Sequence, residues 1–221
     1  EDVLEGLKNV KKKLDEDEKS KSLYHGFYIW DSKFIKEPKI MFIGINPGNG
    51  NPFNDRSIIR VKPCYQMSYL EYLDGNNPTY AIARDTVKAF SKAGYTKEEI
   101  RILLNNKSVK TNYYYLITKK GSDIRSCLNA SEKGGFGKYW LQSFNWTRSL
   151  IDIIKPKVII CEGKSIFNEM INMTETKNAI WENDCGYFQN GEIIVLGYAR
   201  VFSNMENADA FAELIKKHIK Q

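Results

Sequence analysis

The sequence has no apolar stretch near the roughly 18 to 20 residues that a membrane-spanning helix needs. Its opening (EDVLEGLKNVKKKLDEDEKS) is charged from the first residue, unlike a secretory signal. Histidine is almost missing: His25 and His218 are the only two. No His/Cys/Asp cluster has ligand spacing, which speaks against a metal centre. Cysteine is also sparse. Cys64, Cys127, Cys161 and Cys185 are too widely and irregularly spaced for a C-x-x-C zinc site, and too few to need a disulfide framework. These absences lead to the expectation of a cytoplasmic protein with reduced thiols, no membrane attachment, no metal and no other cofactor.

What is present suits one core. At 221 residues and 42% hydrophobic, the chain reads as a single domain over 1–221, opening with a charged helical segment about 1–20. The net charge of +6 is compatible with nucleic acid without requiring it. Residues 121–138 hold four glycines without a periodic apolar pattern, so a long flexible loop is expected there. Four apolar runs read as strands, at 40–45, 113–117, 158–161 and 193–196, and they are mostly continuous rather than alternating, as in strands covered on both faces. Helical patterns lie between them. Ala83, Val87 and Phe90 share one helix, and Thr96-x-x-Glu99 is a capping box ahead of Ile100, Leu103 and Leu104. Trp140, Phe144, Ile151 and Ile154 fall on one face of another, and Ser203-x-x-Glu206 is the expected cap of the last, with Phe211, Leu214, Ile215 and Ile219 inward. The alternation predicts an α/β fold, a three-layer α/β/α sandwich around a central parallel sheet of about four strands. In such sheets ligands lie at the carboxyl ends of the strands.

The first strand ends there in KIMFIGINPGNG, residues 39–50. Familiar loops fail on spacing. A dinucleotide fingerprint counted from Gly48 and Gly50 needs a third glycine where Phe53 stands, and a P-loop ahead of Gly163-Lys164-Ser165 needs a glycine where Val158 stands. A serine-hydrolase elbow needs a serine that the turn lacks. What remains is G-x-N-P-G after a strand. This resembles the first motif of the uracil-DNA glycosylase superfamily, whose mismatch-specific and single-strand-selective branches carry G-[IM]-N-P-G at that place. Asn112 in VKTNYYYLIT resembles the asparagine with which these enzymes read the flipped base, and PKVIICEGKSIFNEM looks like their third strand and following helix.

The resemblance implies a uracil-DNA glycosylase-like fold over about residues 38–215, acting as a monofunctional DNA glycosylase on a uracil-like, damaged or modified base of DNA, in a chain expected to be monomeric. Cleaving an N-glycosidic bond passes through an oxocarbenium-like sugar and an anionic base, so a nucleotide must be extruded and a water held below C1′. The Asn46 amide is no general base and can only orient water with its carbonyl oxygen. Gly44, Pro47 and Gly48 would keep the turn rigid and let backbone approach the sugar, and the backbone from Gly44 through Ile45 to Gly48 would line the pocket. Asn112 offers a donor and an acceptor side by side to a base edge, against the plainer role of a strand-edge asparagine bonded to backbone. Phe53 and Tyr65 are stacking candidates, with core packing as the plainer role of each. Arg56, Arg60 and Lys164 are candidates for DNA phosphates. The pattern departs at the family's second catalytic motif, usually H-P-S-P or N-P-S-G after the fourth strand, where YARVFSNMEN stands. Tyr198, Arg200 and Ser203 are the possible substitutes there, Arg200 for a developing anion or a phosphate, against a core role for Tyr198 and a helix cap for Ser203. Two rival readings follow: a nucleic-acid-binding module that lost catalysis, and a nucleotide-binding small-molecule enzyme or sensor.

Overall fold

The computed structural model describes residues 2–48 and 55–220. Along the chain come helices α1 (Val3–Glu16) and α2 (Glu18–Leu23), strands β1 (Tyr24–Tyr28), β2 (Ile40–Gly44) and β3 (Ile59–Arg60), then α3 (Tyr69–Leu73), α4 (Ala81–Lys92) and α5 (Lys97–Asn106). Strands β4 (Ser108–Asn112) and β5 (Leu116–Thr118) precede α6 (Gly121–Ser131) and α7 (Gly135–Ile154). The remainder is β6 (Val158–Cys161), α8 (Lys164–Thr174), β7 (Ile180–Glu182), β8 (Cys185–Asn190), β9 (Ile193–Tyr198), β10 (Arg200–Val201), β11 (Asn204–Met205) and α9 (Ala208–His218). No described helix is long and apolar enough to cross a membrane.

These elements divide between two compact units. The first comprises residues 1–30, 45–62 and 112–152, and the second residues 31–44, 63–111 and 153–221. In the first, a small sheet of order β3-β1-β5 runs parallel between β1 and β3 and antiparallel between β1 and β5. Asp2 caps α1, and Asp17 both ends α1 and caps α2 by accepting the Ser20 N–H. Ser20 Oγ then donates to the Cys127 carbonyl at 2.8 Å, tying α2 to α6. Gly26 has φ +107°, and a Cβ there would stand 2.3 Å from the Asp55 carbonyl oxygen, so only glycine fits this bend of β1.

The second unit carries a six-stranded sheet of order β4-β2-β6-β9-β8-β7, parallel across β2, β6 and β9 and antiparallel across β9, β8 and β7. Its two faces are both covered. Ile40, Phe42, Val158, Ile160, Leu196 and Tyr198 pack with the buried residues of α3, α4, α5 and α9. On the other face Phe167 of α8 lies so close to Gly197 that a Cβ there would meet its ring at 2.6 Å. Helix, sheet and helix therefore form an α/β unit compatible with a three-layer sandwich.

Several expectations are corrected. The sheet is mixed and six-stranded rather than parallel with about four strands, because CGYFQN and GEIIVLGY form a hairpin that extends it. The run 113–117 is not one strand: β4 ends at Asn112 and β5 begins at Leu116, and between them the Tyr114 N–H leaves the ladder to donate to the Ile45 carbonyl at 2.9 Å. The segment 121–138 is not a loop but α6 and the start of α7. Ile124, Cys127 and Leu128, spaced i, i+3, i+4, are buried, and the glycines concentrate at the break, where Gly134 takes φ +72°. In α7 the deepest residues are Tyr139, Ser143, Trp146, Thr147 and Ile154, whereas Trp140, Phe144 and Ile151 are half-buried. Ser203 does not cap the last helix; Asn207 does, accepting the Ala210 N–H at 3.0 Å, and Ser203 is exposed in the β10–β11 turn. The Thr96–Glu99 capping box forms as expected.

Candidate functional site

The turn after β2 belongs, from Ile45 on, to the first unit and is held by its backbone. Ile45 accepts from Tyr114, and Gly48 forms an isolated parallel bridge with Thr118. Pro47 is buried and Asn46 half-buried. The Asn46 amide is fixed on its nitrogen side. Nδ2 donates to Thr118 Oγ1 at 2.9 Å and to the Pro47 carbonyl at 3.0 Å, which uses both amide protons. Thr118 Oγ1 in turn donates its own proton to the Lys120 carbonyl at 2.8 Å, so only a lone pair faces the amide. Oδ1 is left as the acceptor that makes no hydrogen bond to a described residue; a Cβ on Gly121, at the start of α6, would stand 3.8 Å from it.

Asn112, which opens the last segment of the same unit, is 5% exposed, and its amide makes no side-chain hydrogen bond to a described residue. The three tyrosines that follow are all buried: Tyr114 stacks on Tyr139 with centroids 5.9 Å apart, and Tyr115 stacks on Trp146 at 5.9 Å. None of them is available as a base-stacking surface, and the aromatic run is core.

The other sequence candidates are placed as follows. Phe53 lies outside the described residues. Tyr65 is 88% exposed with Lys33 Nζ 5.6 Å from its ring centroid, so the core role is excluded for it. Arg56 donates to the Lys21 carbonyl at 2.8 Å, a tie between segments of the first unit, and Arg60 is half-buried in β3. In the second unit, Lys164 stands exposed at the start of α8 with its ammonium 4.9 Å from the Trp181 ring. Gly44 ends β2, and Tyr198 is buried against Phe211, its phenol pushed up by burial first and by Glu162 second. Arg200 is half-buried at the start of β10, its Nε 3.7 Å from where a Cβ on Gly163 would stand.

A second polar group, in the second unit, was not anticipated. Strand order runs from β2 out to β4 on one side and to β6 and β9 on the other, a switch point between β2 and β6. Glu162 follows β6 there, 2% exposed, its N–H donating to the Ile43 carbonyl at 2.9 Å. Its carboxylate accepts the Tyr69 hydroxyl and stands 3.9 Å from Lys110 Nζ. Lys110 Nζ donates to Asp31 Oδ2 at 2.8 Å, which also accepts from Ser68 Oγ at 2.6 Å. Burial alone would lower the Lys110 ammonium, but the Asp31 and Glu162 carboxylates outweigh it and hold it well above its ordinary value. Tyr69 is pushed well up, by burial and then by Glu162. A charged residue closing an apolar strand, as in VIICE, is the one signal by which sequence alone would have found Glu162. Nothing in the sequence marks Thr118, Lys110 or Asp31 as partners of anything. Among the described residues no group of three His, Cys, Asp or Glu side chains converges on a metal position.

Compared with known proteins, the chain matches no family model and no curated protein at a significant level.

Proposed function

We propose that this protein is a DNA glycosylase of the uracil-DNA glycosylase type, hydrolysing the N-glycosidic bond of a flipped, uracil-like or modified base. The observation that supports this reading is the polarity of the Asn46 amide. Both amide protons are spent on fixed acceptors, so the carbonyl oxygen is the only part of the side chain left to meet a ligand. That oxygen can accept a hydrogen bond from a water and aim its lone pair at C1′. As the C1′–N bond breaks, its electron pair leaves with the base, the water oxygen bonds to C1′, and the surplus proton passes to solvent. An acceptor without a titrating proton suffices, because the cation is reactive and the nucleophile needs orientation more than activation. Asn112 then supplies its amide to the base edge. That amide makes no hydrogen bond to a described residue, which leaves its donors and its acceptor for a base edge.

One observation favours a second reading, a module of this type that binds nucleic acid without cleaving it. Where a second catalytic motif is expected, the chain forms the two-residue strands β10 and β11, and the turn between them puts Phe202 90% exposed at φ +55°. A left-handed aromatic is unfavourable by about 1–2 kcal/mol, and neighbouring bonds hold it. Asp85 accepts the Met205 N–H at 2.9 Å, and Arg84 donates to Asn204 Oδ1 at 2.8 Å.

Base release from single- and double-stranded oligonucleotides carrying uracil, hypoxanthine, xanthine and hydroxymethylated or glycosylated pyrimidines separates the two. Release from any of them is expected and names the base. Salt-sensitive binding with no release from the whole panel would replace the enzyme with the binding module. Binding of a free nucleotide with no affinity for oligonucleotides would remove both.

A further inference from the structure

We infer that Thr118 is the positioning residue of the Asn46 turn, the group that decides which end of the Asn46 amide faces outward; this rests on the glycosylase reading of that turn. An asparagine amide has two ends of nearly the same shape and opposite hydrogen-bonding character. Only one orientation leaves an acceptor for water, so something must choose. Two acceptors make the choice. The Pro47 carbonyl, 3.0 Å from Nδ2, is part of the turn itself. The second is Thr118 Oγ1, 2.9 Å from Nδ2.

A hydroxyl can donate or accept, and alone it would suit either end of the amide. Here it is not alone. Its proton is committed to the Lys120 carbonyl at 2.8 Å, two residues on, in a side chain with 0% exposure whose backbone is paired with Tyr24 of β1. What faces Asn46 is therefore a lone pair. Turning the amide over would set Oδ1 against two acceptors at once and leave both amide protons in the space meant for water. The relay from Lys120 carbonyl to Thr118 hydroxyl to Asn46 amide thus converts a backbone position at the entry of α6 into the polarity of the turn. Thr118 touches neither water nor substrate in this arrangement and acts only through Asn46.

The prediction concerns the hydroxyl, not the bulk. Thr118→Val keeps the shape and removes the relay, so the first-order rate of base release should fall by about tenfold to a hundredfold with little change in KM, the effect of a misdirected nucleophile. Thr118→Ser restores the hydroxyl and should return the rate close to wild type. A readout independent of activity accompanies it. In the wild type the two Asn46 side-chain amide protons should give separate, slowly exchanging NMR signals, kept in Thr118→Ser and lost or shifted in Thr118→Val. If valine prevents folding, Thr118→Cys, with a weaker acceptor of similar size, reads the same signals. Unchanged amide signals and an unchanged rate in Thr118→Val would overturn the inference. Absence of base release by the wild type would instead remove the glycosylase reading, while the amide signals still decide whether Thr118 sets the orientation.

Discussion

The Asn46 turn of the first unit and the Lys110 group of the second are both polar side chains sunk among apolar ones, and they differ in what is left over. Around Lys110 each charge has an answer. The ammonium meets Asp31 and Glu162, Asp31 also meets Ser68, and Glu162 meets Tyr69. Around Asn46 every donor is used and one acceptor is not. The charge-paired group ties together α3, β4, the end of β6 and the segment before β2. The unsaturated one has its geometry fixed on one side and its chemistry open on the other. Burial alone does not distinguish structural from functional polar groups; the direction of the unspent hydrogen bond does.

The largest expected effect comes from removing the cation of the charge-paired group. Lys110→Met would leave Asp31 and Glu162 buried without their cation, and should cost about 3–5 kcal/mol of folding free energy in a denaturant titration. Because the group is read as structural, the residual folded protein should keep its base-release rate. A stable Lys110→Met protein that had lost base release would move the group to the functional side.

Asn112 belongs with the Asn46 turn, in the first unit. Its amide makes no hydrogen bond to a described residue, so Asn112→Ala should leave the unfolding midpoint nearly unchanged. The same change should weaken base discrimination by about 1–3 kcal/mol, read as relative release rates across the panel. A large loss of stability with no change in base preference would show the amide to be structural after all.

The smallest effect belongs to His218. Burial, and then the charge of Lys217, hold its imidazole below the ordinary 6.5, against the Tyr187 ring at 4.9 Å. The unfolded chain therefore takes up this proton before the folded one does. Its contribution to stability is complete above pH 6.5 and declines as pH falls toward the lowered folded value. His218→Gln should flatten that part of the stability profile; an unchanged slope would assign the decline to the carboxylates.

Much of this contrast was legible beforehand in one place and invisible in the other. The continuous apolar runs IMFIG, VIIC and IIVL gave three strands of the sheet with nearly their observed limits, since burial on both faces leaves a compositional mark. The turn at Asn46 stood out because Gly, Asn and Pro each restrict the backbone in a known way. Residues 121–138 misled because glycines at a helix start and a helix break look like a loop when counted rather than placed. The hairpin that extends the sheet was missed because CGYFQN is short and partly polar. Thr118, Lys110 and Asp31 could not be read at all. Their roles come from pairs 72 and 79 residues apart in sequence, and no local pattern encodes a partner at that distance.

The most direct measurement is the single-turnover rate of base release by Asn46→Ala beside the wild type, on whichever panel substrate the wild type cleaves, with thermal unfolding of both. The account predicts a rate lower by about a hundredfold to a thousandfold, the scale on which a single pre-organised polar group acts in a transition state, with the unfolding temperature little changed. An Asn46→Ala protein that releases the base as fast as the wild type would contradict it.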